Sequence, residues 1–208
     1  VPRLGLDFYA RPSVDVAPDL LGKTFVRRLD GHLLSGRIVE VEAYQGERDP
    51  GSHAFRGLTP RTRVMFGPPG HLYVYFTYGM HFCSNVVTDS EGVAGAVLLR
   101  ALEPLEGLEI MEERRGTSDP LQLCSGPAKL CQALGMGRSE NGSSLLAEEF
   151  GIDDDDCQVP EVGRSTRVGL VAGADLPLRF YIKGTQFVSR GRPSPVDPRL
   201  PAISPESL

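Results

Sequence analysis

Cysteine is scarce in this chain, and no two cysteines stand at a short metal-binding or redox spacing. Cys83, Cys124, Cys131 and Cys157 form no C-x-x-C pair, which excludes a zinc ribbon and a redox motif. They read instead as buried thiols in a reducing compartment. No apolar run approaches the ~20 residues that span a bilayer, and the opening VPRLGLDFY lacks the shape of a signal peptide. The expectation is a soluble intracellular protein, in the nucleus of a eukaryote or the cytoplasm and nucleoid of a bacterium. An excess of basic charge is missing too: the net charge is −5 and the pI about 5.4, which taken alone argues against a nucleic-acid partner. The acidic block Asp153 to Asp156 lacks the alternating ligands, central Gly and distal Glu of a calcium loop. No metal and no cofactor are expected, and no internal repeat is found.

What is present first redistributes that charge. Eight of the 27 acidic residues, and none of the 22 Lys and Arg, fall between Ser139 and Glu161, so this stretch reads as a solvated acidic insert. Residues 51 to 70 carry Arg56, Arg61 and Arg63 with no acid among them. A local basic surface is therefore available. The 24 glycines and 17 prolines, about a fifth of the chain, point to many turns and a compact α+β fold. At 208 residues the chain suits one domain, 1–190, with a Pro-rich, mobile tail over 191–208.

Helix-like spacing around Ala17 to Leu21 stops at Gly22. Lys23 to Leu29 then alternates into Asp30-Gly31, a favoured hairpin pair, and returns from His32 through GRIVEVEAYQG. On that return strand Val39, Val41 and Ala43 share one face, while Glu40, Glu42 and Tyr44 share the other. The second face is either two carboxylates and a phenol turned to a cleft, or an ordinary solvated surface. Residues 45 to 70 read as a long loop containing His53.

The stretch HLYVYFTYGMHFCSNVV, residues 71 to 87, alternates about Tyr78-Gly79-Met80 and predicts a hairpin with an aromatic at its tip. An exposed tip aromatic suits a probe that enters a partner such as duplex DNA. Ala94 to Ala101 predicts a buried strand ending at Arg100. Pro104 is expected to open a surface helix over PLEGLEIMEERR. Ser125-Gly126-Pro127 is expected to start another, with Ser125 as cap and its free amides able to take a phosphate. Thr166 to Val171 and Leu178 to Lys183 predict two further strands.

Six strings, in order GRIVEVEAYQG, SHAFRGLTPRTR, LYVYFTYGMHFCSN, VLLRALEPLEG, LCSGPAKLCQALG and RVGL followed by LRFYIKG, closely resemble the alkyladenine (3-methyladenine) DNA glycosylase family across residues 4 to 190. The resemblance implies one domain with a curved, mainly antiparallel sheet, peripheral helices and a protruding hairpin. It implies a monomer that excises alkylated and deaminated purines from double-stranded DNA by hydrolysis, leaving an abasic site. By position, Glu42 matches the general base, Arg100 and the backbone carbonyl of Val168 frame the water, and Tyr44 and Tyr75 sandwich the extruded base. His53 and Asn85 complete the base pocket, Asn85 as a gate against the guanine amino group, and Tyr78 is the residue inserted into the DNA. Arg56, Arg61, Arg63, Ser125 and Lys129 are candidates for the DNA backbone. The chain departs from the pattern at Thr62, where Asn is frequent, and at His81 and Ser84, where larger apolar or aromatic residues are common.

The chemistry suits those roles. A stacked purine must be extruded before its sugar carbon can be attacked, and extrusion costs a few kcal/mol. A tyrosine wedge and a tyrosine-lined slot offset that cost, each stacked base contributing ~1–3 kcal/mol. The sugar becomes cationic as the C–N bond breaks, so a nearby carboxylate both stabilises it and accepts the proton of water. A lysine nucleophile would instead form a Schiff base, but Lys129 reads as a surface residue, so a monofunctional hydrolase is expected. Two rival readings are a sugar hydrolase using Glu40 and Glu42 as its carboxylate pair, and a lesion-binding protein without catalysis.

Overall fold

The computed structural model describes residues 1–191, so the tail expected over 191–208 lies, apart from Gly191, outside the described residues. Helices α1 (Leu6–Tyr9) and α2 (Ser13–Leu20) precede β1 (Thr24–Leu29) and the long β2 (His32–Tyr44). Asp30 and Gly31 join these strands with φ of 51° and 79°, the pair of positive values that a tight hairpin turn demands. After the 45–70 segment come β3 (Leu72–Thr77), β4 (His81–Val87) and β5 (Ala96–Glu106), then α3 (Leu108–Arg115), α4 (Pro120–Leu123) and α5 (Pro127–Ala133). Strands β6 (Phe150–Asp153), β7 (Val162–Ser165) and β8 (Arg179–Ile182) complete the order.

All strand pairs are antiparallel, in the order β3-β4-β5-β2-β1-β6, with β8 joining β2 to β7. Strand β2 is the axis. β5 runs along one of its edges; on the other, β1 takes residues 32–37 and β8 takes Glu40–Glu42. This is one α+β domain built on an eight-stranded antiparallel sheet. No helix among the described residues is long and apolar enough to cross a membrane.

Alternation along β3 divides its side chains between two cores. Leu72 and Val74 join the main core with Val16, Leu20, Val97, Leu99 and Leu130, so α2 and α5 cover that face. Burying each such side chain fully contributes about 1.5–3 kcal/mol. Tyr73 points the other way, into a smaller core with Ala54, Met65, Val87, Ala94 and Ala96. The 45–70 segment therefore packs on the second face, and three 3₁₀ turns, Gly46–Arg48, His53–Arg56 and Arg63–Phe66, punctuate it. Thr62, buried in this loop, staples it: its Oγ accepts from Thr59 N–H at 2.9 Å and donates to the Gly57 carbonyl at 3.2 Å.

Four expectations are corrected. Pro104 and Leu105 belong to β5, because β2 offers a 13-residue partner and β5 extends along it; the helix starts only at Leu108. Ser125 does not cap α5, whose N-cap is Gly126 and makes no side-chain bond; Ser125 Oγ instead receives Lys129 Nζ at 3.3 Å. The strand expected over Thr166 to Val171 is displaced to Val162–Ser165, which pairs with β8. Within the acidic stretch, Phe150 and Ile152 are buried and Phe150–Asp153 pairs with β1, so this part is sheet rather than solvated insert.

Candidate active site

Glu40 and Glu42 are both fully buried, so the reading of their face as an ordinary solvated surface fails. Two irregularities in the β2–β5 ladder adjoin them: pairing steps from Ile38↔Leu102 to Glu40↔Ala101, then to Val41↔Leu99. Val39 and Arg100 are thereby left without partners in the register. Such bulges re-aim side chains, and Arg100 lies against both acids. Its Nη1 is 3.3 Å from Glu42 Oε1, and its Nε donates to Glu40 Oε1 at 3.0 Å. Val168 N–H donates to Glu42 Oε1 at 2.7 Å, and the Tyr44 hydroxyl donates to Glu42 Oε2 at 2.9 Å. Burial works against the charge on Arg100, but Glu42 and Glu40 outweigh it and raise its pKa above the ordinary value. Burial, reinforced by Glu42, raises the pKa of Tyr44 well above that of a free phenol, so it remains a donor.

A carboxylate offers about four lone-pair positions. Val168 takes one on Oε1 of Glu42, beside the Arg100 cation, and Tyr44 takes one on Oε2, leaving one position on Oε2. Glu40 accepts four hydrogen bonds, from Arg100, Arg179 and the hydroxyl and N–H of Ser189. Burial resists its ionisation, yet Arg100, Arg179 and the Ser189 N–H together hold its pKa below the ordinary value. A carboxylate kept ionised in this way is unsuited to act as the acid of a sugar hydrolase's carboxylate pair.

Tyr44 links Glu42 to a cavity. Tyr44, His53, Tyr73, Tyr75, Asn85 and Met65 are among the residues lining a volume of about 80 Å³, and Glu42 stands behind Tyr44 rather than in the wall. The Tyr73 and Tyr75 rings stack with centroids 5.5 Å apart, and His53 meets Tyr75 edge-on at 4.5 Å. Asn85 Nδ2 donates to the Tyr73 carbonyl at 3.0 Å, which fixes its amide. His53 stands at the mouth, its Nδ1 3.1 Å from the Tyr73 hydroxyl and its Nε2 3.4 Å from Arg61 Nη2. An arginine can only donate, so Nε2 is the acceptor and Nδ1 carries the proton. Lost hydration, then the Arg61 cation, hold the His53 pKa well below 6.5, at about 4.

At the end of the hairpin, Tyr78 is 87% exposed. It has φ +49° beside Gly79 at +70°, and Met80 N–H closes the turn on the Thr77 carbonyl at 3.3 Å. Phe76 and Met80 are exposed beside it. Arg61 lies over the Tyr75 ring at 5.5 Å, while Arg56 and Arg63 are exposed on the same loop. Ser125 and Lys129 stand apart from the cavity lining, near Gln122, which accepts from Lys129 Nζ at 2.7 Å. His81 is exposed at the turn, and Ser84 Oγ is buried without a hydrogen-bond partner.

Sequence reasoning missed Asp49, Arg167, Arg179 and Ser189. Arg167 is fully buried and grips both oxygens of Asp49 at 2.5 and 2.8 Å, donates to the Ala43 carbonyl at 3.0 Å, and lies over the Tyr44 ring at 4.6 Å. Arg167 opens the RVGL string, so the string marked the place without revealing the ion pair. Among the described residues, no group of three or more His, Cys, Asp or Glu side chains is gathered to hold a metal ion.

The model of one protein family, described as methylpurine-DNA glycosylase, matches residues 7–186. The chain belongs to that family. Membership places it among the DNA glycosylases, hydrolases of N-glycosyl bonds. A relative from Chlorobaculum tepidum is 50% identical over 195 residues, 93% of each chain. One from Chlorobaculum parvum is 53% identical over 193 residues, 91% of this chain and 92% of its own. A third, from Methanoculleus marisnigri, is 54% identical over 187 residues, 88% of this chain and 96% of its own. The names of all three assign them, provisionally, to the 3-methyladenine DNA glycosylases.

Proposed function

We propose that this glycosylase extrudes alkylated and deaminated purines, of the 3-methyladenine, 7-methylguanine, hypoxanthine and ethenoadenine class, from double-stranded DNA and hydrolyses the N-glycosidic bond. The observation that carries this reading is the coupling of Glu42 to the aromatic cavity through the Tyr44 hydroxyl. The last lone pair on Glu42 Oε2 accepts a proton of water, whose oxygen attacks the sugar carbon. The C–N electron pair leaves with the base, and the sugar becomes an abasic site. The Arg100 cation, its Nη1 3.3 Å from Glu42 Oε1, stands opposite the side of the carboxylate that receives that proton.

Tyr44, Tyr75, His53 and Asn85 receive the extruded base, and Tyr78 fills the gap in the stack. The Tyr78 ring is held away from the body, where only a partner can cover it. Arg61, with Arg56 and Arg63, supplies cations to the phosphates near the cavity mouth. Lys129 bonds to Gln122 and Ser125 rather than to the groups around Glu42, which supports a monofunctional enzyme without a Schiff base.

Duplexes carrying a single hypoxanthine, ethenoadenine or 3-methyladenine test the reading, scored as alkali-labile abasic sites. The wild-type chain should cleave. Glu42→Gln should lose at least about 10³-fold in single-turnover rate while binding the duplex within a few-fold, because the amide cannot take a proton. Near-normal turnover by Glu42→Gln would remove Glu42 as the base, and a borohydride-trapped DNA adduct would replace hydrolysis by an amine mechanism.

A further inference from the structure

Glu40 is a fully buried acid that accepts four hydrogen bonds beside the site, yet the proposed reaction gives it no step. Its Oε1 accepts from Arg100 Nε at 3.0 Å, Arg179 Nε at 2.7 Å and Ser189 Oγ at 2.8 Å; its Oε2 accepts from Ser189 N–H at 2.5 Å. Each nitrogen of the Arg100 guanidinium consequently has its own partner: Nε binds Glu40, Nη1 faces Glu42, and Nη2 donates to Ser189 Oγ at 3.1 Å. Gly191 runs close over the same group, since a Cβ there would meet Val168 Cγ1 at 2.6 Å and Arg100 Nη2 at 3.2 Å.

We infer that Glu40, clasped by Ser189, is a positioning residue that confines Arg100 to one nitrogen on Glu42. The inference rests on the proposed role of Glu42 as base. An arginine beside an ionised carboxylate favours a two-pronged pairing, with one N–H on each oxygen. Glu40 prevents this by holding Nε, and Ser189 prevents it by holding Nη2. Without Glu40 the guanidinium can turn and set two nitrogens on Glu42, covering the Oε2 lone pair that receives the proton of water. The segment around Ser189 thereby bears on the reaction: it holds Glu40, which aims Arg100, which leaves Glu42 open.

The test is a double-mutant cycle on a hypoxanthine duplex, with single-turnover rate and duplex affinity read separately. Glu40→Gln should lower the rate about 10- to 100-fold, the scale of a misplaced catalytic group, and leave affinity within about twofold. In an Arg100→Lys background, where no two-pronged pairing can form, Glu40→Gln should lower the rate less than about threefold further. Glu40→Asp, which keeps the charge, should recover part of the loss. If Glu40→Gln does not fold, Ser189→Ala is read through the same cycle, with a smaller loss that again vanishes beside Lys. An unchanged rate, or the same loss in both backgrounds, overturns the inference. Wild-type protein and Glu42→Gln run alongside separate the two readings: inactive wild type, or active Glu42→Gln, defeats the proposed base, whereas a defect confined to this cycle defeats Glu40 alone.

Discussion

His53 illustrates how much one side chain's surroundings decide. Packing against Tyr73 and Tyr75 removes water from part of the ring, and Arg61 adds a like charge. The folded chain therefore keeps the ring neutral below its ordinary pKa of 6.5, to about 4. As pH falls through that window, the unfolded chain takes up a proton before the folded one does. Stability is then complete above about 6.5 and drawn off as pH descends toward 4. Urea midpoints of the wild type should fall more steeply between pH 7 and 4 than those of His53→Gln; parallel curves would show that His53 is hydrated in the folded state. The position of His53 in the SHAFRG string was legible in the sequence, but its tautomer depends on Tyr73, 20 residues further along, and on Arg61.

Among the elements, the hairpin of β3 and β4 combines strain and exposure in one residue. Tyr78 holds φ +49°, a conformation that costs a non-glycine residue about 1–2 kcal/mol, and its ring gains little contact in return. Tyr78→Gly should leave the melting temperature unchanged or raised. Excision from duplex DNA should meanwhile fall at least about tenfold more than excision from single strands, because only a duplex leaves a stacking gap to fill. An equal loss on both substrates would mean that the tip does not act as a wedge. The hairpin could be read from its alternation alone, since Leu72, Val74 and Val86 on one face and Tyr73 and Asn85 on the other follow a period of two. The extent of β5 could not: Pro104 looks like a helix start until its partner Gly36 on the long β2 is known.

The molecule as a whole ties distant parts of the chain at two buried knots, and local pattern carries no trace of either. Asp49 and Arg167 lie 118 residues apart, and Glu40 and Ser189 lie 149 apart. Glu42 was legible because its string resembles a family, while the ion pairs around it depend on which strands meet. Asp49→Ala would leave Arg167 charged and partly unpaired in the interior, so unfolding free energy should drop by about 3–5 kcal/mol, measured by urea titration. A drop below about 1 kcal/mol would mean that water reaches the guanidinium. Strand β2 has hydrogen-bonded neighbours on both edges at Glu40 and Glu42, so the proposed base rides on backbone that cannot slide or fray without dismantling the sheet. Heat inactivation would then have no separate early stage at the acid, and any loss of turnover below the melting transition would originate in the exposed loops and hairpin that meet the DNA.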